Sequence, residues 1–289
     1  MGDNIRIGFI GAGKVGCSLG KMFSVGGLTV AGYYSRTFLS ACEGAAFTQS
    51  EAFETLEQVV AASDVLFLTT PDAVLRNVYH ELKSFDVRGK QLCHCSGSLS
   101  AVEVFDDAEA QGASCYSIHP LFPVSSKTEC YEELTHAHFC IEGDEAHLMD
   151  WKRRLEALGP HVQVIAAAAK RRYHAACCIP SNFVCALVQQ SIDMLVACGF
   201  EADAALSALA PLMTANMEHI IKVGPQDALT GPVERNDVGT VDAHLKCMDG
   251  TRERDAYRLL SMKLVELATM RHPGADYSQM RLLLEGEES

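Results

Sequence analysis

The positions best suited to chemistry fall in a few short stretches. The first is Asn4 to Gly16, NIRIGFIGAGKVG, where Gly11, Gly13 and Gly16 have the spacing GxGxxG. The apolar run of Ile5, Ile7, Phe9 and Ile10 before it reads as a buried parallel strand, and Val15, Leu19 and Phe23 after it recur at helical spacing. Between a strand and a helix, such a glycine cluster predicts a dinucleotide site rather than a plain turn. Gly11 permits the tight turn, Gly13 lets a pyrophosphate reach the backbone, and Gly16 lets the helix pack close to the sheet. Ala12, Lys14 and Val15 complete the loop, and the free N–H groups of the helix start face the anion.

Ser35 and Arg36 close the next strand, where a fold of this kind that prefers NAD offers a carboxylate to the ribose 2′-hydroxyl. A hydroxyl and a guanidinium suit a 2′-phosphate instead, so the expected cofactor is NADP (NADPH), unless Arg36 is only a solvated loop cation. Thr70-Pro71, Ser96 and His119 end three further apolar runs. At the carboxyl edge of a parallel sheet they border the cofactor crevice, with Ser96 and His119 near the nicotinamide or the reacting carbonyl. His174, Cys178 and Asn182 are spaced by four. On one continuous helix they share a broad face that drifts about 40° per step and spans roughly 12 Å.

Thr230, Arg235, Asp237, Thr240 and His244 make another polar concentration. Asp237, Thr240, His244 and Cys247 repeat, one residue earlier, the spacing of a core stripe formed by Val238, Val241, Leu245 and Met248. That polar edge lines either a pocket or a solvated flank, with Thr230 and Arg235 as anion contacts on the preceding loop.

These residues need a scaffold. Strand patterns at 28–34, 64–70, 90–95, 113–119, 138–142 and 161–165 alternate with helical ones that include 50–63 and 147–158. The intervening helices imply parallel strands that end at one edge. The expected fold is α/β: a doubly wound, mostly parallel sheet in residues 1–168, then an all-α domain in 169–289. Helical periodicity covers 170–198, 202–222, 237–248 and 251–270, with a kink at Pro180, and the EGEES tail should fray.

Composition sets bounds on partners. The 289 residues carry 24 Lys and Arg against 37 Asp and Glu, a net charge of −13. That balance argues against nucleic acid and gives no basic patch for a membrane surface. Hydrophobic residues at 48% support a full core. No apolar run nears the roughly 20 residues of a membrane span, and the first residues enter a strand with no room for a signal peptide. The twelve cysteines lie in apolar segments without a CxxC, so they are expected to be buried, reduced thiols of a cytoplasmic protein, with no metal site. In Cys93-His94-Cys95, strand alternation points the thiols to one face and the imidazole to the other.

The order of features resembles the 6-phosphogluconate dehydrogenase-like superfamily, with an N-terminal Rossmann domain and a helical C-terminal one. Within it the chain looks most like the Rossmann-like and DUF2520 domain-containing proteins. The resemblance rests on GFIGAGKVG at 8–16, YSR at 34–36, TTPD at 69–72, HCSG at 94–97 and SIHPL at 117–121. Two more specific segments join these, KRRYHAACCIPSN at 170–182 and ALTGPVERNDVGTVDAHL at 228–245.

That family is similar to ketopantoate reductases and, more distantly, to pyrroline-5-carboxylate reductases. In ketopantoate reductases a lysine on the second domain's first helix is the general acid, and an asparagine follows eight residues later. His174 and Asn182 have that spacing here, with Cys178 where an intermediate asparagine would stand. An imidazole can still donate the proton.

The resemblance thus implies an NADPH-dependent reductase of a small carbonyl compound, a 2-oxo acid. His174 is its proton donor, Asn182 and Ser96 bind the reacting oxygen, and Thr230, Arg235 or Thr240 holds the carboxylate. A homodimer through the helical domain also follows from it. The alternatives are an imine or amino-acid dehydrogenase, a 3-hydroxy acid dehydrogenase, or a non-catalytic NADP-binding sensor or scaffold.

Overall fold

The computed structural model describes residues 5–286, so the end of the EGEES tail lies outside the described residues. Two compact units divide the chain, one ending at Ser181 and the other beginning at Asn182. The boundary thus falls later than the expected 168/169, because the first helix after the sheet is pinned to the sheet by its own side chains.

The first unit runs β1 (Arg6–Ile10), α1 (Lys14–Val25), β2 (Thr29–Tyr34), α2 (Phe38–Thr48), β3 (Glu51–Phe53), α3 (Leu56–Ala62), β4 (Val65–Leu68), α4 (Asp72–Leu82), β5 (Gln91–His94), α5 (Ala101–Val104), β6 (Ser114–Leu121), β7 (His138–Gly143), α6 (Glu145–Ala157), β8 (His161–Val164) and α7 (Lys170–Cys178). The strands form one eight-stranded sheet in the order β3-β2-β1-β4-β5-β6-β7-β8. From β3 to β6 every pairing is parallel. Strand order therefore reverses between β1 and β4, which opens a crevice at their carboxyl ends.

Both faces of the sheet are covered, which is why β1 is apolar throughout. Phe9 stacks on Tyr33 at 5.0 Å and on Phe67 at 5.5 Å, in a cluster that also takes Phe23 and Trp151. Ile10 points the other way, into a second cluster with Leu66, Leu68, Leu75 and Leu92. Cys93 belongs to the first cluster, with Cys95 packed against it, while the His94 ring lies 5.6 Å from Phe105 of the second, as strand alternation requires.

Three expectations are corrected, the third across both units. Residues 51–53 form a short edge strand on β2 rather than part of a helix; three residues are too few to show a period of two. β7 runs antiparallel to β6, and β8 parallels β7, so these two strands do not share the carboxyl edge of the others. A loop without a long helix joins β6 to β7, and a crossover helix is what a parallel pair needs. The cysteines are not uniformly buried: Cys17, Cys93, Cys130 and Cys140 are buried free thiols, whereas Cys185, Cys198 and Cys247 are exposed.

The second unit contains α8 (Asn182–Ala197), α9 (Ala202–Val223), α10 (Pro225–Ala228), α11 (Val238–Cys247), α12 (Arg252–Arg271) and α13 (Ser278–Glu285). Its core joins the last three, with Val241, Leu245, Val265, Ala268, Met280 and Leu284 buried. The stripe read from the sequence lies on α11: Val241, Leu245 and Met248 are buried and Val238 packs against them. The α8 helix buries no residue.

At Pro180 the backbone does more than kink. Ser181 Oγ donates to the Cys177 carbonyl at 2.8 Å, and a turn separates α7 from α8. His174 and Asn182 therefore stand on different helices, one in each unit. Taken together across that turn, Ala167–Ala197 contains an 18-residue run of mean hydropathy 1.3, long and apolar enough to cross a membrane by length and composition alone, whereas no such run was expected.

Candidate active site

The turn after β1 shapes a cleft of about 670 Å³ at the crevice. Gly11 has φ +112°, a conformation that side chains with a Cβ rarely adopt, and Thr69 Oγ1 donates to its carbonyl at 2.7 Å. A Cβ on Gly16 would lie 2.4 Å from the Gly11 carbonyl oxygen, so α1 packs against the turn as tightly as the chain permits. Gly13 is the opposite case: a Cβ there would meet nothing within 4 Å, which leaves its backbone open to an incoming group. No side chain caps α1 at Gly13, so its first N–H groups retain their capacity for an anion.

Gly11, Ala12, Gly13, Ser35, Arg36, Thr70 and Pro71 all line the cleft. Thr70 Oγ1 is buried with no hydrogen-bond partner among the described residues. Lys14 is exposed at the start of α1, Val15 packs on the core, and Gly16 lies beneath the turn; none of the three lines the cleft. Thr69, first residue of the TTPD segment, lines it as well, as do Ser40, Asn77 and Lys127, which were missed in the sequence because they come from helices and a loop without a motif. Open backbone, uncapped N–H groups, an unsatisfied hydroxyl and a guanidinium together fit a phosphate-bearing dinucleotide.

Further along the same edge, residues from β5, β6 and α7 converge on Gly97. A Cβ on Gly97 would fall 2.4 Å from His174 Cδ2 and 2.8 Å from His119 Nε2. The two imidazoles lie 6.2 Å apart, nearly perpendicular. His119 Nδ1 is 2.8 Å from the Tyr173 hydroxyl, and His174 Nδ1 is 3.9 Å from Cys178 Sγ. Tyr173 stands in the KRRYHAACCIPSN segment next to His174, but its type and spacing did not mark it as a site residue.

Lys170 opens the same segment, but its burial gave no sign, because a lysine is expected outside. It is 1% exposed. Its Nζ donates to Ser117 Oγ at 2.6 Å, and Ser117 Oγ donates to the Ser96 carbonyl at 3.3 Å, which ties α7 to the ends of β5 and β6.

Ser96 itself is internally satisfied. Its hydroxyl donates to Asp72 Oδ2 at 2.6 Å and accepts the Ser98 and Leu99 N–H groups at 3.2 and 3.0 Å, while its own N–H donates to His94 Nδ1. The hydroxyl expected to face a ligand builds the turn that presents Gly97.

Burial, helped by the Lys170 charge, pushes His119 down to about 4, and the same causes push His94 down to about 3, from 6.5. Both rings are therefore neutral near pH 7. Below 6.5 the unfolded chain binds more protons than the native one, so the stability conferred by these neutral rings is complete above 6.5. It is lost as pH falls through about 4 for His119 and about 3 for His94. Each adds up to about 1.4 kcal/mol per pH unit to the acid slope. Urea unfolding from about pH 7 to about pH 4 should show that slope, shallower in His119→Asn.

Of the polar residues of the helical unit, Thr240, Arg235 and His244 all interact with Asp237, whose carboxyl pKa is lowered first by its Thr240 hydrogen bonds and then by the other two, while Thr230 stands apart. Asp237 caps α11, with Oδ1 accepting the Thr240 N–H and Oδ2 the Thr240 hydroxyl. His244 Nδ1 is 2.8 Å from the Tyr257 hydroxyl and borders a pocket of about 410 Å³. Thr230 borders a different, apolar groove, and Arg235 is exposed on its loop. Asn182 opens α8. Among the described residues no group of three or more His, Cys, Asp or Glu side chains could hold a metal ion.

Comparison with known proteins places this architecture. The Rossmann-like domain family matches residues 2–120, and the domain of unknown function DUF2520 matches residues 137–264. No curated protein sequence matches the chain. Among solved structures, a Thermotoga maritima protein is 26% identical with a TM-score of 0.73, over 91% of this chain and 98% of its own.

A reductive aminase from Aspergillus terreus, in complex with NADPH and ethyl-5-oxohexanoate, is 17% identical, with a TM-score of 0.65 over 97% and 99%. A Plasmodium falciparum pyrroline carboxylate reductase with NADP bound is 15% identical, with a TM-score of 0.58 over 94% and 99%. The last two show likeness of fold. The chain belongs to the family of proteins that join a Rossmann-like domain to a DUF2520 domain.

Proposed function

We propose that the protein is an NADPH-dependent oxidoreductase that reduces a small carbonyl compound, a 2-oxo acid, at the Gly97 edge of the sheet. The observation that carries this reading is the convergence of His119 and His174 on Gly97, along the same sheet edge as a cleft built for a dinucleotide. The NADPH and NADP bound to the aminase and carboxylate reductase structures support it.

NADPH, when bound, supplies the hydride. The Gly11–Gly13 turn and the start of α1 hold its pyrophosphate, Ser35 and Arg36 take the 2′-phosphate, and Thr70 offers its unsatisfied hydroxyl. When Tyr173, whose hydroxyl burial keeps protonated, donates to His119 Nδ1, the neutral ring carries its proton on Nε2, toward Gly97. His119 so provides a fixed donor to the substrate oxygen, and His174 delivers the proton. Lys170 acts at one remove, holding α7 and adding its charge to the burial that keeps His119 neutral.

Two donors favour an oxo group, which gains negative charge as it is reduced, over an iminium, which loses its positive charge. Imine reduction is the second reading, favoured by the chemistry named for the aminase structure. The purified protein is expected to consume NADPH, followed by its absorbance, only when a 2-oxo acid is added. Consumption that requires an amine beside the carbonyl would decide for the second reading.

The protein is also expected to pair through its helical unit. Phe183, Leu187, Leu212, Met217 and Ile221 of α8 and α9 stand exposed, and an apolar groove of about 570 Å³ runs between these helices. Sedimentation should give a dimer, and Leu212→Glu with Ile221→Glu a monomer.

A further inference from the structure

The loop that follows β6 returns across the outside of α1 and α2. Ser18 on α1 donates to the Ser126 carbonyl at 3.2 Å, and Tyr131 sets its ring edge-on to Phe47 of α2 at 5.9 Å. Between these two anchors stands Lys127. It lines the same cleft as Ser35, Arg36, Thr37 and Ser40, and its Nζ lies 2.9 Å from Glu43 Oε2.

A phosphate monoester carries about −1.5 to −2 charges near neutral pH, and Arg36 supplies one positive charge against it. We propose that Lys127 is the second cation of the cofactor's 2′-phosphate site, exchanging Glu43 for the phosphate when NADPH binds. This rests on the NADP reading above.

The place selects the 2′-phosphate rather than the pyrophosphate. Glu43 lies one turn past Ser40 on α2, and Ser40 joins Ser35, Arg36 and Thr37 in the cleft wall at the end of β2, where the adenosine ribose sits. The pyrophosphate already has the α1 N–H groups. The exchange is undemanding, because Lys127 and Glu43 are 38% and 54% exposed, and an exposed ion pair is weak. Glu81 also lines the cleft but pairs with neither residue. The phosphate thus faces two cations once Glu43 is displaced.

Calorimetric binding of NADPH and NADH to the full chain tests this. Lys127→Met should weaken NADPH by about 10- to 100-fold, the range of a hydrogen bond to a charged group, and NADH by less than about twofold. Lys127→Arg should retain most of the NADPH affinity, and Glu43→Gln should bind NADPH more tightly by removing the competing carboxylate. Equal weakening of both cofactors in Lys127→Met would overturn the assignment in favour of the pyrophosphate. Unchanged NADPH binding in that variant would leave Lys127 as no more than Glu43's surface partner. A wild-type chain that binds NADPH no better than NADH would instead overturn the NADP reading, and this assignment with it.

Discussion

Replacing His174 with alanine is expected to lower the turnover of NADPH on its carbonyl substrate by about 100- to 10,000-fold, the usual range for loss of a positioned general acid. NADPH affinity should stay within about twofold, because His174 does not line the dinucleotide cleft. The split matters, since a general loss of folding would lower both. His174→Gln is a useful companion: it keeps a donor and much of the volume against Gly97 but cannot yield a proton. If turnover falls in both variants, His174 gives the proton. If glutamine restores it, His174 only holds the oxygen. Loss of His119 should cost less, because its ring is neutral and serves as a hydrogen-bond donor.

The glycine turn provides the second large effect, and it separates into two. Gly13→Ala should leave stability unchanged, since the new Cβ meets nothing within 4 Å, yet it should weaken NADPH binding because that open space is where the pyrophosphate comes closest. A clash of about 1–3 kcal/mol corresponds to roughly 5- to 150-fold in Kd. Gly16→Ala should do both. Its Cβ would press on the Gly11 carbonyl at 2.4 Å and Thr69 Oγ1 at 2.5 Å, so the turn must open, at about 1–3 kcal/mol of folding stability as well as affinity. Thermal unfolding beside calorimetric NADPH binding distinguishes the two variants. A Gly13→Ala protein that binds NADPH normally would mean that the cofactor does not lie over this turn.

These outcomes also show where the sequence was legible. The strand before Gly11 was readable because a parallel strand covered on both faces must be apolar at every position, as Ile7, Phe9 and Ile10 are. Strand direction was not readable. The pattern at 138–142 marks a strand, but nothing in it tells that β7 runs against β6, which depends on the loop between them. The edge strand 51–53 was hidden by the helical residues that follow it.

In the site, His119 and His174 could be singled out as residues, yet their convergence on Gly97 could not, because it depends on packing α7 against β6 across more than fifty positions of sequence. The lysine that makes this packing possible was invisible for a physical reason. Charge predicts exposure, and only the folded chain brings the Ser117 hydroxyl, the Tyr173 ring and the Glu142 and Asp72 carboxylates to Lys170. Spacing by four assumed one continuous helix, whereas a turn at 179–181, around Pro180, separates His174 on α7 from Asn182 on α8.

The central claim is that the Gly97 edge, next to the dinucleotide cleft, is a reductase site with His174 as its acid. Transfer of deuterium from deuterated NADPH to a panel of 2-oxo acids and imines, read by mass spectrometry of the products, tests it most directly. The account predicts label on the carbon of one product class with the wild-type protein, and loss of that label in His174→Ala while NADPH still binds. Tight NADPH binding with no label on any product, and no difference between the two proteins, would contradict it and identify a non-catalytic NADP-binding protein.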